Sequence, residues 1–374
     1  MNVRKRSGKV VPFDAEFIRR AVTRVFGVWS RISTQVVRQW DWYPRVEPYV
    51  GYGTGDYSRL ICRTVYAPRH AQSGELIRGI RGMLAIPAPR THVQASIDDM
   101  PLNTVQIGVS EVYDKVDRTR DLGSEYAISD SAGYLDLVAE HRLVPGIHRV
   151  SYSVANRKPV SANLYTIPAS AKVGIISDVD DTIMITQAPV PWKAAYNLLF
   201  LDPKKKASVP GMSVLFTRIA DLFPGAPFFY LSTSPWNVES SIRNFITDHG
   251  FPEGPLLLRD LDPRPKTFVP TGPQHKLEFA EQLMADFPDM KFILVGDDGQ
   301  KDPTTYATIA RRYPGRVLAI VIRELSPRES TGLASVTGLT STQPTPVTDV
   351  PVFTGTTGSN ILKTMLPYLK TVLR

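Results

Sequence analysis

The stretch VGIISDVDDTIMIT, residues 173–186, is the most informative part of this sequence. A short apolar run is followed at once by three aspartates, Asp178, Asp180 and Asp181. Carboxylates so close together repel one another, and the end of a buried strand is a costly place to keep them ionised. A divalent cation among them would offset the repulsion, and Mg²⁺ prefers such oxygen ligands. The stretch therefore predicts a buried strand that ends in a magnesium site.

Strand-like and helical segments alternate after residue 172. The apolar runs VGIIS, PFFYLS, KFILVG and VLAIVIR are separated by segments with helical spacing, among them GMSVLFTRIADLF and HKLEFAEQLMADF. Near-continuous apolar strands that alternate with helices predict an α/β fold, in which helices cover both faces of a parallel sheet. Ligands of such folds bind at the carboxyl ends of the strands. The aspartate cluster falls at one of these ends.

Further polar side chains follow at other strand ends and helix starts. Ser232 ends the run PFFYLS, and Lys276 lies at the predicted start of a helix. Asp297, Asp298 and Asp302 follow the run FILVG. Each feature alone has an ordinary structural explanation: a strand-end hydroxyl, an exposed lysine or an acidic turn. Together with the aspartate cluster after VGIIS, they form an ordered set of four features. That order is a much stronger signal of a functional site than any one feature alone.

This order resembles the haloacid dehalogenase (HAD) superfamily of phosphohydrolases. DVDDT is similar to its first motif, Ser232 to the second, Lys276 to the third and GDDGQKD to the fourth. The stretches SDVDDTI, YLSTSPW, PLLLRD and VGDDGQKDP are similar to the actin-patch-associated phosphatidate phosphatase family and its bacterial relatives. The resemblance covers about residues 172–325. It is looser before them, where YVGYGT, residues 49–54, is similar to a β-rich segment of the bacterial members.

The resemblance implies catalytic roles for several side chains. Asp178 is expected to be the nucleophile that forms an aspartyl-phosphate, which splits hydrolysis into two steps. Asp180 is expected to protonate the leaving oxygen and then to activate water. Lys276 and Ser232 are expected to hold the phosphoryl oxygens. Thr182 is expected at the substrate site, where it hydrogen-bonds locally and holds the loop.

The resemblance also implies Mg²⁺ as the cofactor. Its expected ligands are Asp178, the backbone carbonyl of Asp180, and Asp297 or Asp302. Asp298 departs from the family, in which a small serine is expected at that position. Either Asp297 or Asp298 faces the metal, and the G-D-x4-D spacing favours Asp297 together with Asp302.

Composition shifts divide the chain into four parts. An amphipathic helical segment is predicted over residues 1–44, a β-rich sandwich-like domain over 45–170, the HAD-like catalytic domain over 171–325, and a Ser/Thr/Pro-rich linker with a short amphipathic segment over 326–374. The first part has apolar residues at helical spacing, at Phe17, Ala21, Val25 and Val28. The last residues, NILKTMLPYLKTVLR, predict a basic helix interrupted by Pro367. This helix contacts a membrane, binds a partner or docks back onto the domain.

Composition also narrows the location and the partners. The single cysteine excludes an intramolecular disulfide, and the start of the sequence has no apolar core of a signal peptide. We therefore expect a cytoplasmic protein, with peripheral contact to a membrane as an alternative. The net charge of +8 favours polyanions such as anionic lipid headgroups. No base-reading motif is present, so no nucleic-acid partner is expected.

The segment QAPVPWKAAYNLLFLDPKKK, residues 187–206, bears on the substrate. It is either a helix packed on the core with a solvated lysine loop, or an acyl-chain contact beside a basic edge. An acyl-chain contact would favour a Mg²⁺-dependent phosphatase of phosphatidate, which yields diacylglycerol and phosphate. The alternatives are a phosphatase of a soluble phosphomonoester or phosphoprotein, and a non-catalytic adaptor on the same fold.

Overall fold

The computed structural model describes part of the chain in detail. The described residues are 37, 42–67, 86–102, 105–106, 127–129, 133–154, 157–185, 207–259, 272–299, 301–325 and 348–373. Most of the predicted N-terminal amphipathic segment, the apolar segment 187–206 and the linker from residue 326 to residue 347 lie outside them. None of the described helices has the length and apolar character needed to cross a lipid bilayer.

The first half of the described chain is rich in β-strands. Its strands are β1 (Tyr43–Pro48), β2 (Gly51–Gly53), β3 (Tyr57–Ala67), β4 (Ile86–Pro87), β5 (His92–Ile97), β6 (Met100–Pro101), β7 (Val105–Gln106), β8 (Ala127–Ile128), β9 (Tyr134–Glu140), β10 (Gly146–Ser153) and β11 (Val160–Thr166). Hydrogen bonds connect them in the order β6-β5-β10-β11-β2-β3-β9-β7, with β1 and β4 on β3 and β8 on β5. The pairing of β11 with β2 is parallel, and the other described pairings are antiparallel. The two-layer sandwich arrangement stays a prediction.

The second half is an α/β unit built on a parallel sheet. Its strands are β12 (Val173–Asp178), β13 (Phe228–Pro235), β14 (Leu256–Arg259), β15 (Lys291–Asp297), β16 (Val317–Arg323) and β17 (Val352–Gly355). Its described helices are α1 (Met212–Leu222), α2 (Glu239–Asp248), α3 (Gly272–Asp286), α4 (Asp302–Arg312) and α5 (Gly358–Val372). The strand order is β14-β13-β12-β15-β16-β17, and every neighbouring pair is parallel.

Helices cover this sheet on both faces because alternate strand residues point to opposite sides. Ile175 belongs to the core formed with α1, α2 and α5, whereas Ile176 belongs to the core formed with α3 and α4. Both side chains are buried. The predicted parallel sheet flanked by helices is therefore confirmed. It follows that the carboxyl ends of β12, β13 and β15 lie along one edge of the sheet.

The C-terminal segment belongs to this same unit. β17 pairs with β16, and α5 packs on the sheet and on α1 through Ile361, Met365 and Leu369, which are fully buried. The helix continues through Pro367 rather than being interrupted there. The predicted domain end at residue 325 thus divides a unit that the structure continues to residue 373. Of the three expectations for the tail, the structure shows docking onto the domain.

Candidate active site

Five side chains from separate parts of the α/β unit meet at the carboxyl edge of its sheet. Asp178 is the last residue of β12, and Asp297 is the last residue of β15, which is the neighbour of β12. Lys276 lies in the first turns of α3, and Asp302 begins α4. Ser232 lies in β13, the other neighbour of β12. The structure therefore brings together the residues that the motif order singled out.

Three of these side chains form a compact group of carboxylates. One oxygen from each of Asp178, Asp297 and Asp302 lies within 4.8 Å of the others, and all three residues are buried. Burial makes each negative charge expensive unless a positive charge compensates it. A compensating cation is therefore required wherever these acids are ionised.

Lys276 supplies part of that compensation. Its Nζ lies 2.8 Å from Asp178 Oδ1 and 2.5 Å from Asp302 Oδ1, and the side chain is 2% exposed. Three ionised carboxylates against one ammonium leave two negative charges within this group. A divalent cation matches that deficit, and the donors are the hard oxygens that Mg²⁺ prefers. The residues present therefore fit a magnesium ion.

Burial also dominates the protonation of the group. It raises the pKa of Asp178 to about 8, although the neighbouring Lys276 ammonium opposes the rise. Burial raises the pKa of Asp297 well above its usual range, and the charges of Asp302 and Asp178 add to the effect. For Lys276, burial lowers the pKa, but the adjacent Asp178 and Asp302 carboxylates outweigh it and hold the pKa above its usual value. A metal ion bound here would therefore have to displace protons from these carboxylates.

Asp180 faces a different set of partners. Its Oδ2 accepts hydrogen bonds from Ser232 Oγ at 2.8 Å and from Ser234 Oγ at 3.3 Å. The backbone N–H of Ser234 also donates to Ser232 Oγ at 2.9 Å. The Asp180 side chain is therefore held beside β13, outside the group of three carboxylates. Ser234 was missed from the sequence, although its position two residues after Ser232 puts both hydroxyls on one side of an extended strand.

The loop after β12 is fixed by two further contacts. Thr182 Oγ1 donates to Asp178 Oδ2 at 3.0 Å, which ties the start of the loop to the end of β12. Arg323, the buried last residue of β16, donates from Nη1 to the backbone carbonyl of Asp181 at 2.8 Å. Asp181 has φ of 55°, in the left-handed region that is unfavourable for most residues other than glycine. Arg323 was also missed: the sequence shows an arginine at the end of the apolar run VLAIVIR, but not the contact that it makes.

The two consecutive aspartates after β15 have different environments. Asp297 is fully buried within the carboxylate group, and its Oδ1 accepts from the N–H of Gly299 at 2.8 Å. Asp298 is half-buried, and its Oδ1 accepts from the backbone N–H of Leu325 at 2.8 Å. The structure therefore places Asp297 among the candidate ligands and Asp298 at the neighbouring loop.

Gly296 makes room for this arrangement. A Cβ at residue 296 would overlap Asp302 Oδ2 and would lie 2.7 Å from the ring of Tyr306. Tyr306 in turn donates from its hydroxyl to the carbonyl of Val295 at 2.9 Å. Glycine before the aspartate thus lets the first turn of α4 approach the end of β15.

The fold and the site together define an α/β protein with a buried carboxylate and lysine centre at the carboxyl edge of a parallel sheet. A family model described as "Phosphatidate phosphatase APP1, catalytic domain" matches residues 173–324. The matched range contains every site residue described above. This part of the chain is therefore similar to a phosphatase catalytic domain.

Two curated fungal proteins are similar to part of the chain. "Phosphatidate phosphatase APP1" of Saccharomyces cerevisiae is 29% identical over 211 residues, which are 54% of this chain and 35% of the yeast protein. An uncharacterized protein of Schizosaccharomyces pombe is 26% identical over 176 residues, 46% of this chain and 29% of that protein. The chain thus spans about a third of the length of the curated relatives it matches.

Solved structures align only weakly with the whole chain. The adhesin InvE of Yersinia pseudotuberculosis gives a TM-score of 0.20 at 11% identity, over 34% of this chain and 33% of the adhesin. The structure titled "Structure of PhoD" gives 0.26 at 9% identity, over 74% of this chain and 70% of that one. Alignments with TM-scores this low do not indicate a shared fold or function.

Proposed function

We propose that this protein is a Mg²⁺-dependent phosphatase that hydrolyses phosphatidate to diacylglycerol and phosphate through an aspartyl-phosphate on Asp178. The observation that carries the proposal is the buried contact of Asp178 with Lys276, beside Asp297 and Asp302, within the range that matches the phosphatase family. The fold on which this chemistry is built is proposed to be HAD-like.

The lipid substrate is proposed from the comparisons. The matching family and the yeast relative both carry phosphatidate phosphatase in their names. The apolar segment 187–206 with its terminal lysines is proposed as the contact for acyl chains and headgroups. A cytoplasmic protein with peripheral contact to a membrane surface would reach such a substrate.

The carboxylate group is proposed to hold the metal. Asp178, Asp297 and Asp302 offer side-chain oxygens, and the backbone carbonyl of Asp180 is a further candidate ligand. When bound, Mg²⁺ would offset the negative charge on the phosphoryl oxygens and keep the acids ionised. Lys276, which contacts both Asp178 and Asp302, supplies a second positive charge beside the metal.

The chain's own residues carry the two proposed steps. A carboxylate oxygen of Asp178 attacks phosphorus, the bond from phosphorus to the ester oxygen breaks, and Asp180 gives its proton to that oxygen as diacylglycerol leaves. Asp180 then takes a proton from water, whose oxygen attacks phosphorus and releases phosphate from Asp178. Lys276, Ser232 and Thr182 are the proposed hydrogen-bond donors that hold and orient the phosphoryl group and the two acids.

Phosphate release tests the proposal. The wild-type protein would be assayed on dioleoyl phosphatidate in mixed micelles and on p-nitrophenyl phosphate, each with Mg²⁺ and with EDTA. Release from the lipid that requires Mg²⁺ is expected. Release from the soluble ester alone would contradict the lipid substrate and leave a phosphatase of soluble phosphomonoesters or phosphoproteins. No release from either ester would contradict the enzyme and favour the adaptor.

Sedimentation with anionic liposomes tests the membrane contact separately. Vesicles with 20–30% phosphatidate would be compared with neutral phosphatidylcholine vesicles. Binding to the anionic vesicles that weakens with added salt is expected. Equal binding to both kinds of vesicle, or none, would contradict the proposed contact with headgroups.

A further inference from the structure

The stretch YVGYGT places two tyrosines of the β-rich unit against the α/β unit. Tyr49 stacks on Trp236, with ring centroids 4.7 Å apart and an interplanar angle of 20°. Tyr52 meets Phe229 edge-on at 5.7 Å and donates from its hydroxyl to Asp286 Oδ2 at 2.9 Å. Trp236 directly follows the last residue of β13, whereas Phe229 lies near the start of that strand. Tyr49 therefore contacts the site edge of the sheet, and Tyr52 contacts the opposite end.

The end of β13 reaches past its regular strand pairing. Its pairing with β12 runs as far as Leu231, and its register with β14 shifts between Leu231 and Pro235. Ser232 and Ser234, which hold Asp180, lie within this interval. Contacts outside the regular ladder must therefore help to fix the positions of the two hydroxyls.

The stack of Tyr49 on Trp236 is such a contact. Tyr49 is 1% exposed and Trp236 is 5% exposed. The backbone N–H of Tyr49 donates to the carbonyl of Ile61 at 3.0 Å, which ties the ring to the β-rich sheet. A stacked aromatic pair stabilises its contact beyond what the burial of its area contributes. Tyr49 thus gives Trp236, two residues after Ser234, a fixed aromatic ring to pack against.

We infer that Tyr49 is a positioning residue of the phosphatase site: through Trp236, the β-rich unit holds Ser232 and Ser234 in contact with Asp180. The inference rests on the proposed function, since it takes Asp180 as the acid that protonates the leaving oxygen. It gives the β-rich unit a role in catalysis although none of its described residues is placed among the reacting groups.

The leaving group provides the test. Diacylglycerol leaves phosphatidate as an alkoxide that needs a proton, whereas p-nitrophenolate is stable enough to leave without one. Tyr49→Ala should therefore lower the single-turnover rate of leaving-group release about tenfold for phosphatidate, with a much smaller loss for p-nitrophenyl phosphate and little change in the half-saturating substrate concentration. The later activation of water by Asp180 is common to both esters and does not enter this rate. Tyr49→Phe keeps the ring and should retain the wild-type ratio of the two rates. Asp180→Asn should change that ratio in the same direction and further.

Tyr52→Phe is the matched control at the same interface. It removes the hydrogen bond to Asp286, far from the site edge, so it should lower the melting temperature while keeping the ratio of the two rates. Equal losses on both esters in Tyr49→Ala would overturn the inference, because a general loss of folded protein does not distinguish leaving groups. No release of phosphate by the wild type would instead overturn the proposed function.

Hydrogen exchange decides the inference without relying on activity. Mass spectrometry of peptides covering residues 230–238 should show faster amide exchange in Tyr49→Ala than in wild type, and wild-type exchange in Tyr52→Phe. Unchanged exchange in Tyr49→Ala would overturn the inference, since the stack would then not fix the end of β13.

Discussion

Lys276 is the positive group that contacts two of the three buried carboxylates in the described part of the site. Lys276→Met should lower the free energy of unfolding by about 3–5 kcal/mol without metal, because it leaves buried negative charge uncompensated. Denaturant unfolding measures the loss, and added Mg²⁺ should reduce it. Lys172→Met is the control, since Lys172 is 64% exposed and its ion-pair partner, Asp289, is 3.9 Å away. A loss in Lys276→Met no larger than in the control would contradict this account of the charges.

The raised pKa of Asp178 predicts a pH-dependent affinity for metal. Its ordinary value is 3.8, and burial raises the pKa in the folded protein to about 8. The folded, metal-free protein therefore favours the protonated acid, and the contribution of Asp178 to stability is lost as pH rises from about 4 to about 8. Below about pH 8, Mg²⁺ would have to displace this proton in order to bind.

The rise in melting temperature caused by Mg²⁺ checks this prediction. It should be small at pH 6 and larger at pH 8.5, with the apparent affinity falling by about tenfold per pH unit below 8 for each proton that the metal displaces. Ca²⁺ at the same concentrations provides a comparison for general effects of divalent ions on the surface. A Mg²⁺ effect that is the same at both pH values would contradict competition between the proton and the metal.

At the scale of elements, the turn from β15 into α4 depends on Gly296. Gly296→Ala would push Asp302 and Tyr306 away from the strand end, because the added Cβ overlaps both side chains. We expect a loss of Mg²⁺ affinity and of activity by at least about tenfold, measured by the thermal shift and by phosphate release. Gly315→Ala is the control: its φ of 76° strains the backbone, but the Cβ meets open space. It should lower stability by about 1 kcal/mol and keep Mg²⁺ affinity. Equal affinity in both variants would contradict the role of Gly296.

The same elements indicate how much of the site could be predicted from sequence. Asp178, Asp297 and Asp302 follow apolar runs, and parallel strands bring their ends to one edge, so their proximity was accessible from the pattern. Arg323 was not recognised, because its contact with the Asp181 carbonyl depends on a loop conformation that spacing does not reveal. The catalytic and metal-binding roles of these residues stay predictions.

At the scale of the whole molecule, the C-terminal segment was the least predictable part. β17 has four residues after a Ser/Thr/Pro-rich stretch, which is too short a signal to identify a sixth strand of the sheet. The helical spacing of α5 was recognisable, but the surface it packs against was not. The stack of Tyr49 on Trp236 was equally hidden, since two residues so distant in sequence meet only when both units are folded.

The buried position of α5 predicts that it contributes to the stability of the α/β unit. Leu369 is fully buried in the core that α1 also forms, so Leu369→Ala should lower the free energy of unfolding by about 2–5 kcal/mol. Leu373, one turn later, is 50% exposed, and Leu373→Ala should change it by less than about 0.5 kcal/mol. Urea denaturation of both variants measures the difference. Equal, small losses would contradict the docking of α5.

Asp178 is proposed to accept the phosphoryl group, and replacing its carboxylate tests that role. Mg²⁺-dependent phosphate release from dioleoyl phosphatidate would be compared between wild type, Asp178→Asn and Asp298→Asn. Asp298 follows the neighbouring strand but lies outside the carboxylate group, and asparagine keeps an oxygen for the N–H of Leu325. We predict a loss of at least about a thousandfold in Asp178→Asn and near wild-type rates in Asp298→Asn. Substantial release by folded Asp178→Asn protein would contradict the account.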